Sequence, residues 1–277
     1  MNPAEEVRRK LAAAPADLRF AVLFAPRAQR SVLAALFAVY LEIREILREC
    51  SDAEVARAKL EWWREEIARL TAHRARHPLS IRLDRQTRDA PLPTEPLSAI
   101  IESVATDINA APFRDFDAVE QYCRQRGGAL TELAAALAGA CTPGTLTAAR
   151  LLGRSWQLAD IVVHGLVYAE HGRIYFAADD LRKHGIDQHV SGTAHSVAGV
   201  RALLADYAAR ARALHASALA QTEVNWSNLC VGLVLGGLAQ ARLKKFARSG
   251  YPEAAAPVEL QPFAQLWTAW RSARRAR

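Results

Sequence analysis

The chain has 277 residues, of which 51% are apolar, and a formal net charge of +7 at pH 7. This length and composition exclude a disordered chain and allow one large domain with a substantial core. The longest strongly apolar run, residues 229–238, has about half of the roughly 20 residues that a membrane-spanning helix needs, so no span is predicted. The N-terminal residues mix acidic and basic side chains without an apolar signal core, which predicts a cytoplasmic protein.

The cysteines and the net charge limit the chemistry further. Cys50, Cys123, Cys141 and Cys230 lie far apart and form no CxxC pair, so we expect reduced, buried thiols and neither disulfides nor a zinc site. The positive charge favours anionic partners such as phosphates, acidic lipid headgroups or nucleic acid, but it does not choose among them.

Helical periodicity runs along almost the whole chain. Apolar positions three and four residues apart, ended by capping residues and prolines, predict helices over residues 3–13, 18–25, 27–50, 52–73, 97–108, 197–220, 223–248 and 262–275. Further helices are expected to hold Tyr122, to restart at Thr142-Pro143 and to enter at Leu158. No alternating strand pattern is present, apart from a few residues around 173–176. The prediction is an all-α protein in which residues 1–277 form a single bundle of roughly ten helices.

The least generic stretch is residues 157–181, QLADIVVHGLVYAEHGRIYFAADDL. Asp160, His164 and Tyr168 are four residues apart, so a helix places them on one face, where they can line the wall of a cavity. The alternative is a half-buried helix whose Asp and His are only hydrogen-bonded to neighbours. A Gly- and Ala-rich run at residues 127–140 predicts a close approach of two helices or space for a ligand.

The C-terminal residues 260–277 are predicted to form a basic, aromatic helix or tail. Its tryptophans and arginines are Trp267, Trp270, Arg271, Arg274, Arg275 and Arg277. Such a composition suits peripheral contact with a membrane surface or an acidic partner. The alternative is a solvated, frayed helix end.

Short motifs follow one another in a characteristic order between about residues 17 and 251. They include Pro26 with Arg30, the ALFAVY run at 35–40, Trp63 with Glu65 and Glu66, His77-Pro78, Asp107, the EQYC run at 120–123, Gln157-Leu158 and the GRIY run at 172–175. In this order and spacing they resemble the squalene/phytoene synthase family, the head-to-head branch of the all-helical isoprenyl diphosphate synthases. The resemblance implies an isoprenoid synthase fold with a central apolar cavity.

The resemblance also implies two aspartate-rich motifs that hold Mg²⁺ against a substrate diphosphate, and both motifs depart from the family pattern. A run of the type CRxxDDIVD falls on residues 40–48 (YLEIREILR), so the expected acids become Arg44, Glu45 and Arg48. A run of the type QLTNILRDVxED falls on residues 157–168, where the expected acids become His164, Val167 and Tyr168. Asp160 occupies a position that is usually Asn.

The arginines change the electrostatics of the site. Because a guanidinium group repels a divalent cation by kilocalories even at a high effective dielectric constant, a magnesium cluster should not assemble there. We therefore expect no metal and no other cofactor. Arg30, Arg44, Arg48 and Arg173 could instead hold a phosphate directly; alternatively, Arg44 pairs with Glu45, Glu49 or Asp160. The candidate cavity or anion site consists of Arg30, Tyr40, Arg44, Glu45, Arg48, Tyr122, Gln157, Asp160, His164, Tyr168, Arg173 and Tyr175.

The altered first motif most resembles a subgroup of the family that includes the mitochondrial assembly factor for respiratory complex I and its bacterial relatives. That resemblance implies a pseudoenzyme that binds an isoprenoid or other lipid, or a subunit of a membrane complex. The alternative is an active head-to-head prenyltransferase that condenses two isoprenyl diphosphates, with magnesium held by Glu45, Glu49, Asp160 and His164. No nucleic-acid partner is predicted, because the basic charge comes without a recognisable reader motif.

Overall fold

The computed structural model describes residues 2–88, 92–140, 142–186, 197–251 and 260–276. Within these ranges the chain forms thirteen α-helices and no strand, including at residues 173–176. The helices are α1 (Pro3–Ala12), α2 (Ala16–Phe24), α3 (Arg30–Glu49), α4 (Ala53–Thr71), α5 (Pro78–Gln86), α6 (Thr94–Asn109), α7 (Phe116–Cys123), α8 (Ala129–Leu137), α9 (Pro143–Glu170), α10 (Ala178–Lys183), α11 (Val197–Leu219), α12 (Cys230–Arg248) and α13 (Pro262–Ala273).

Helix α9 is the central element of the bundle, and it contacts α7, α8, α11 and α12. It begins at Pro143 and not at Leu158, because Thr142 accepts a capping hydrogen bond from the backbone of Thr145 and Pro143 suits the first helical turn. The two helices predicted here are therefore one helix of 28 residues. Asp160, His164 and Tyr168 lie in the C-terminal half of this helix.

Glycine allows α9 to approach the neighbouring chain closely. A π-helical turn, Arg124–Gly128, joins α7 to α8, and a Cβ atom added at Gly153 would overlap the carbonyl oxygen of Gly127 and the hydroxyl of Thr131. Thr131 Oγ1 also donates a 2.7 Å hydrogen bond to the carbonyl oxygen of Ala149. The close approach predicted from the Gly- and Ala-rich run is confirmed.

Helix α3, which carries the altered first motif, contacts α1, α5 and α6. Its buried face contains Leu33, Leu36, Phe37, Tyr40 and Ile43, at the three- and four-residue spacing predicted from the sequence. The following turn of this helix carries Arg44, which is therefore directed toward the interior.

The helix predicted over residues 223–248 begins later than expected. Glu223 has a φ of 56°, a left-handed conformation that interrupts a right-handed helix. The Asn225 side chain accepts a hydrogen bond from the backbone of Ser227 and starts a short 3₁₀ turn, Trp226–Leu229, before α12.

The described part of the chain agrees with two further expectations. Cys50, Cys123 and Cys230 are not disulfide-bonded; Cys123 and Cys230 are buried as expected, Cys50 is only partly buried, and Cys141 lies outside the described residues. None of the helices within the described ranges is long and apolar enough to cross a membrane.

Candidate functional site

A cleft of about 610 Å³ opens between α1, α3 and the segment that follows α9. Its polar and charged lining consists of Lys10, Arg44, Glu45, Arg48, Asp107, Arg126, Tyr168, Arg173 and Tyr175. Apolar side chains, including Leu41 and Leu47, line the rest. The volume is in the range of small-molecule sites. The cleft combines apolar side chains with charged groups, because arginines stand where the family resemblance implies carboxylates.

Asp107 on α6 is the most heavily hydrogen-bonded group at the cleft and is only 5% exposed. It accepts hydrogen bonds from the phenols of Tyr175 at 2.6 Å and Tyr122 at 3.0 Å, and from Arg126 Nη1 at 3.3 Å. Arg173 Nη1 lies 3.9 Å from it. Burial raises the pKa of Asp107, although these donors partly oppose the rise. The carboxylate is thus already satisfied by groups of the protein.

Tyrosine rings form one side of this polar cluster. The ring of Tyr175 lies 5.4 Å from that of Tyr122 and 5.2 Å from that of Tyr168. Burial, followed by the nearby charge of Asp107, raises the pKa of both Tyr122 and Tyr175. Both phenols therefore remain protonated hydrogen-bond donors at physiological pH.

Arg44 lies deep in the cleft on α3. Its guanidinium is 5.4 Å from the centroid of the Tyr40 ring, and Nη1 is 3.4 Å from the Tyr40 hydroxyl. Its buried Nε has no hydrogen-bond partner. Burial opposes the charge, but the neighbouring phenol oxygens and the carboxylates of Asp160 and Asp107 outweigh it and raise the pKa of Arg44. The group is a permanent cation with an unused donor.

The carboxylates proposed as partners for Arg44 pair with other residues. Glu45 forms ion pairs with Lys10 and, at 3.1 Å, with Arg48. Glu49 lies 3.4 Å from Lys59 Nζ on the other side of the turn between α3 and α4. Asp160 pairs with His164, so Arg44 forms an ion pair with none of the three.

Asp160, His164 and Tyr168 lie on one face of α9, as their spacing predicted. Asp160 Oδ1 lies 2.9 Å from His164 Nδ1, and the Tyr168 hydroxyl donates to Asp160 Oδ2 at 3.1 Å. Both members of the pair are 27% exposed. Burial disfavours both charges, but their mutual hydrogen bond and attraction outweigh it, lowering the pKa of Asp160 and raising the pKa of His164. The three side chains share one face and are hydrogen-bonded to one another, as in the alternative stated for this stretch, and only Tyr168 of the three lines the cleft.

Six predicted site residues are not among those that line the cleft. Tyr40 contacts Arg44, Tyr122 contacts Asp107, and the pair of Asp160 and His164 is hydrogen-bonded to Tyr168. The other two, Arg30 and Gln157, lie elsewhere. Arg30 lines a separate cleft of about 400 Å³ together with Arg27 and Cys230, and its Nε donates to the carbonyl oxygen of Ala25 at 2.9 Å. Gln157 is buried against the π-helical turn near Gly127. Arg30 begins α3, more than three turns before Arg44, so the length of the helix separates the two arginines.

The donor groups at the cleft do not fit the magnesium ions that the family resemblance implies. Mg²⁺ requires oxygen ligands in near-octahedral geometry. Among the described residues, no group of three or more His, Cys, Asp or Glu side chains is placed to hold a metal ion. Glu45, Glu49, Asp160 and His164 therefore do not come together as a ligand set.

Three charged residues of the cleft, Lys10, Asp107 and Arg126, were not among the site candidates identified from the sequence. Asp107 appeared there only as one of the short family motifs. Arg126 is four residues after Tyr122, so helical spacing could have placed both on one face. Lys10 contacts Glu42 and Glu45 on α3, and no local pattern could have revealed that contact.

Solved structures with the same architecture define the class of this fold. A dehydrosqualene synthase solved with a ligand superposes with a TM-score of 0.78 and 15% identity, covering 98% of this chain and 97% of that chain. A squalene synthase from Alicyclobacillus acidocaldarius gives a TM-score of 0.78 and 21% identity, covering 90% of this chain and 94% of that chain. At these identities the likeness shows an all-helical isoprenoid synthase-type fold.

The sequence identifies the family within that class. The squalene/phytoene synthase family profile matches residues 13–268, and the chain belongs to this family. The phytoene synthase of Mycobacterium tuberculosis is 24% identical over 174 residues, which are 63% of this chain and 57% of the relative. That of Thermus thermophilus is 29% identical over 164 residues, 58% of this chain and 55% of the relative. The chain thus spans just over half the length of these curated relatives.

Proposed function

We propose that this member of the family has lost magnesium-dependent prenyl transfer and binds a phosphorylated isoprenoid or another anionic lipid in the cleft. The observation that carries the proposal is the environment of Arg44. This half-buried cation has an unused Nε donor and no carboxylate ion-pair partner. It occupies the first position at which the family motif has an aspartate.

Electrostatics argue against a metal at this point. A guanidinium about 4 Å from a divalent cation would repel it by about 8 kcal/mol at an effective dielectric constant of about 20. Arg48 stands one turn farther along α3, and Arg126 and Arg173 face the same cleft. The nearby acids are engaged, since Glu45 pairs with Lys10 and Asp107 accepts several hydrogen bonds.

The same arrangement suits an anion. Guanidinium groups match phosphate oxygens in geometry and charge. Arg126, like Arg44, has a buried Nε without a hydrogen-bond partner, so the two arginines can supply donors that no group of the protein uses. Leu41 and Leu47 give the cleft apolar surface for a hydrocarbon chain. A ligand with a phosphorylated head and an apolar tail would satisfy both parts.

Two other functions remain as predictions. The subgroup that the first motif resembles would imply a role in assembling a membrane complex, for which the ligand-binding cleft would be a secondary feature. An active prenyltransferase would need Glu45, Glu49, Asp160 and His164 to release their present partners and gather around magnesium.

A turnover assay tests the loss of catalysis. The purified protein is incubated with farnesyl or geranylgeranyl diphosphate, Mg²⁺ and NADPH, and both pyrophosphate release and the formation of squalene, dehydrosqualene or phytoene are measured. We expect neither to exceed the protein-free control. Product formation that depends on the protein and on Mg²⁺ would contradict the proposal. Native mass spectrometry of the same preparation then separates the two non-catalytic roles, because a co-purified lipid supports ligand binding and a stoichiometric protein partner supports assembly.

A further inference from the structure

Helix α13 exposes an unusual amount of apolar surface. Seven large apolar side chains are exposed in the described part of the chain, and three of them lie within five positions of this helix. Phe263 is 77% exposed, Trp267 51% and Leu266 40%. Because isolated exposed apolar residues are common but contiguous groups are not, this cluster indicates a contact surface.

The outer face of α13 carries two stripes of side chains spaced four residues apart, and each stripe ends in an arginine. Phe263, Trp267 and Arg271 are four residues apart, as are Leu266, Trp270 and Arg274, so each stripe passes from apolar to basic. The Trp267 and Trp270 rings lie 4.8 Å apart, and Arg274 stacks over Trp270 at 5.0 Å. Residues 260–276 contain no Asp or Glu. The helix therefore lacks an internal partner for its positive charge.

The inner face of α13 anchors it to the bundle. Ala269 and Ala273 are buried, and Ser272 lies against Gly237 of α12 so closely that a Cβ at Gly237 would overlap it. The helix contacts α12 and α2. Its outer face is consequently presented on a helix that packs against the bundle.

The C-terminal end of α13 lies near the start of α12. Helix α12 runs antiparallel to α2, because Arg242 pairs with Asp17 and the Cys230 thiol lies 3.5 Å from the carbonyl oxygen of Phe24. Ala273 and Ala276, at and just after the C-terminal end of α13, line a cleft together with Cys230 at the start of α12.

We propose that the outer face of α13 docks the protein on the surface of an anionic lipid bilayer. Trp and Phe side chains partition into the interfacial region of a bilayer, while arginines attract anionic headgroups. An acidic protein would satisfy the arginines, but it would not require an exposed Phe and Trp on the same stripes. The docking surface is separate from the residues that bind the anion in the cleft.

A vesicle flotation experiment with the full chain tests this surface. Vesicles of phosphatidylcholine alone are compared with vesicles that also contain phosphatidylglycerol. Arg271 and Arg274 should strengthen binding to the anionic vesicles by about thirtyfold at low salt, and salt should weaken it. The double variant Phe263→Ser/Trp267→Ser should lose at least about tenfold in binding, because it removes two interfacial anchors. Trp62→Ser, at an exposed tryptophan on α4, is the matched control and should bind as the wild type does.

Three results would count against bilayer docking through α13. No binding of the wild type to either vesicle type would overturn the proposal, and so would equal losses in the α13 and Trp62 variants. Binding that ignores phosphatidylglycerol would overturn the role of the arginines. A thermal melt of each variant checks that the fold is intact, and pyrophosphate binding by the double variant should be unchanged.

Discussion

Tyr175 donates a 2.6 Å hydrogen bond to Asp107 and so ties the segment after α9 to helix α6. Asp107 also accepts hydrogen bonds from Tyr122 and Arg126. This buried carboxylate therefore joins α6 to α7 and its following π-helical turn, and to the segment after α9. The acid is used to hold the cleft together, and this is consistent with a site in which arginines and not metal ions meet the ligand.

Asp107→Asn should be strongly destabilising. The change leaves the buried Arg126 without its charge partner, and breaking a buried ion pair in this way costs about 3 kcal/mol or more. Urea unfolding measures the free energy of unfolding. The control is Asp179→Asn, because Asp179 is exposed and pairs only locally with Arg182, and we expect a loss within about 0.5 kcal/mol. A loss at Asp107 no larger than that of the control would contradict the described role.

The pair of Asp160 and His164 should contribute a pH-dependent part of the stability. The raised pKa of His164 means that its contribution is complete below the ordinary value of about 6.5 and is lost as the pH rises through the folded-state pKa. The lowered pKa of Asp160 means that its contribution is present above about 3.9 and is lost as the pH falls through the folded-state pKa. The pair therefore stabilises most between about pH 4 and 6.5.

His164→Gln should consequently lower the free energy of unfolding by about 1 kcal/mol in that window and by less above it. The measurement is a series of urea unfolding curves across the pH range. His171→Gln is the control, since His171 Nδ1 contacts a backbone carbonyl oxygen. A difference for His164→Gln that stays constant or grows from pH 5 to pH 9 would show that the pair is not charged as described.

Local sequence patterns were sufficient for most helices but not for the pairings within the site. The spacing of Asp160, His164 and Tyr168 determined their shared face, because a helix fixes the relation of residues four apart. The partners of Glu45 and Asp107 depend on how distant helices dock: Lys10 is 35 residues from Glu45, and Tyr175 is 68 residues from Asp107. Arg30 was misplaced because a motif gives a position in the sequence, whereas the length of α3 decides which cleft the side chain reaches.

The contact between Gly153 and Gly127 gives a prediction about packing. Gly153→Ala should destabilise the protein by about 1 to 3 kcal/mol, because the new methyl group would overlap backbone and Thr131. In an open helix the same change would instead stabilise by about 1 kcal/mol. Gly128→Ala is the matched control, since its Cβ would lie 3.3 Å from the flexible Arg154 side chain. Thermal unfolding separates the two variants, and equal melting temperatures would contradict the close packing.

Calorimetry with pyrophosphate tests the central claim most directly. Pyrophosphate is titrated into the wild type, Arg44→Gln and Arg30→Gln, each with Mg²⁺ and with a chelator. We predict that the wild type binds without Mg²⁺, that Arg44→Gln loses about tenfold or more in affinity under both conditions, and that Arg30→Gln matches the wild type. Tight binding that requires Mg²⁺ and is indifferent to Arg44→Gln would contradict the claim that arginines have replaced the metal site.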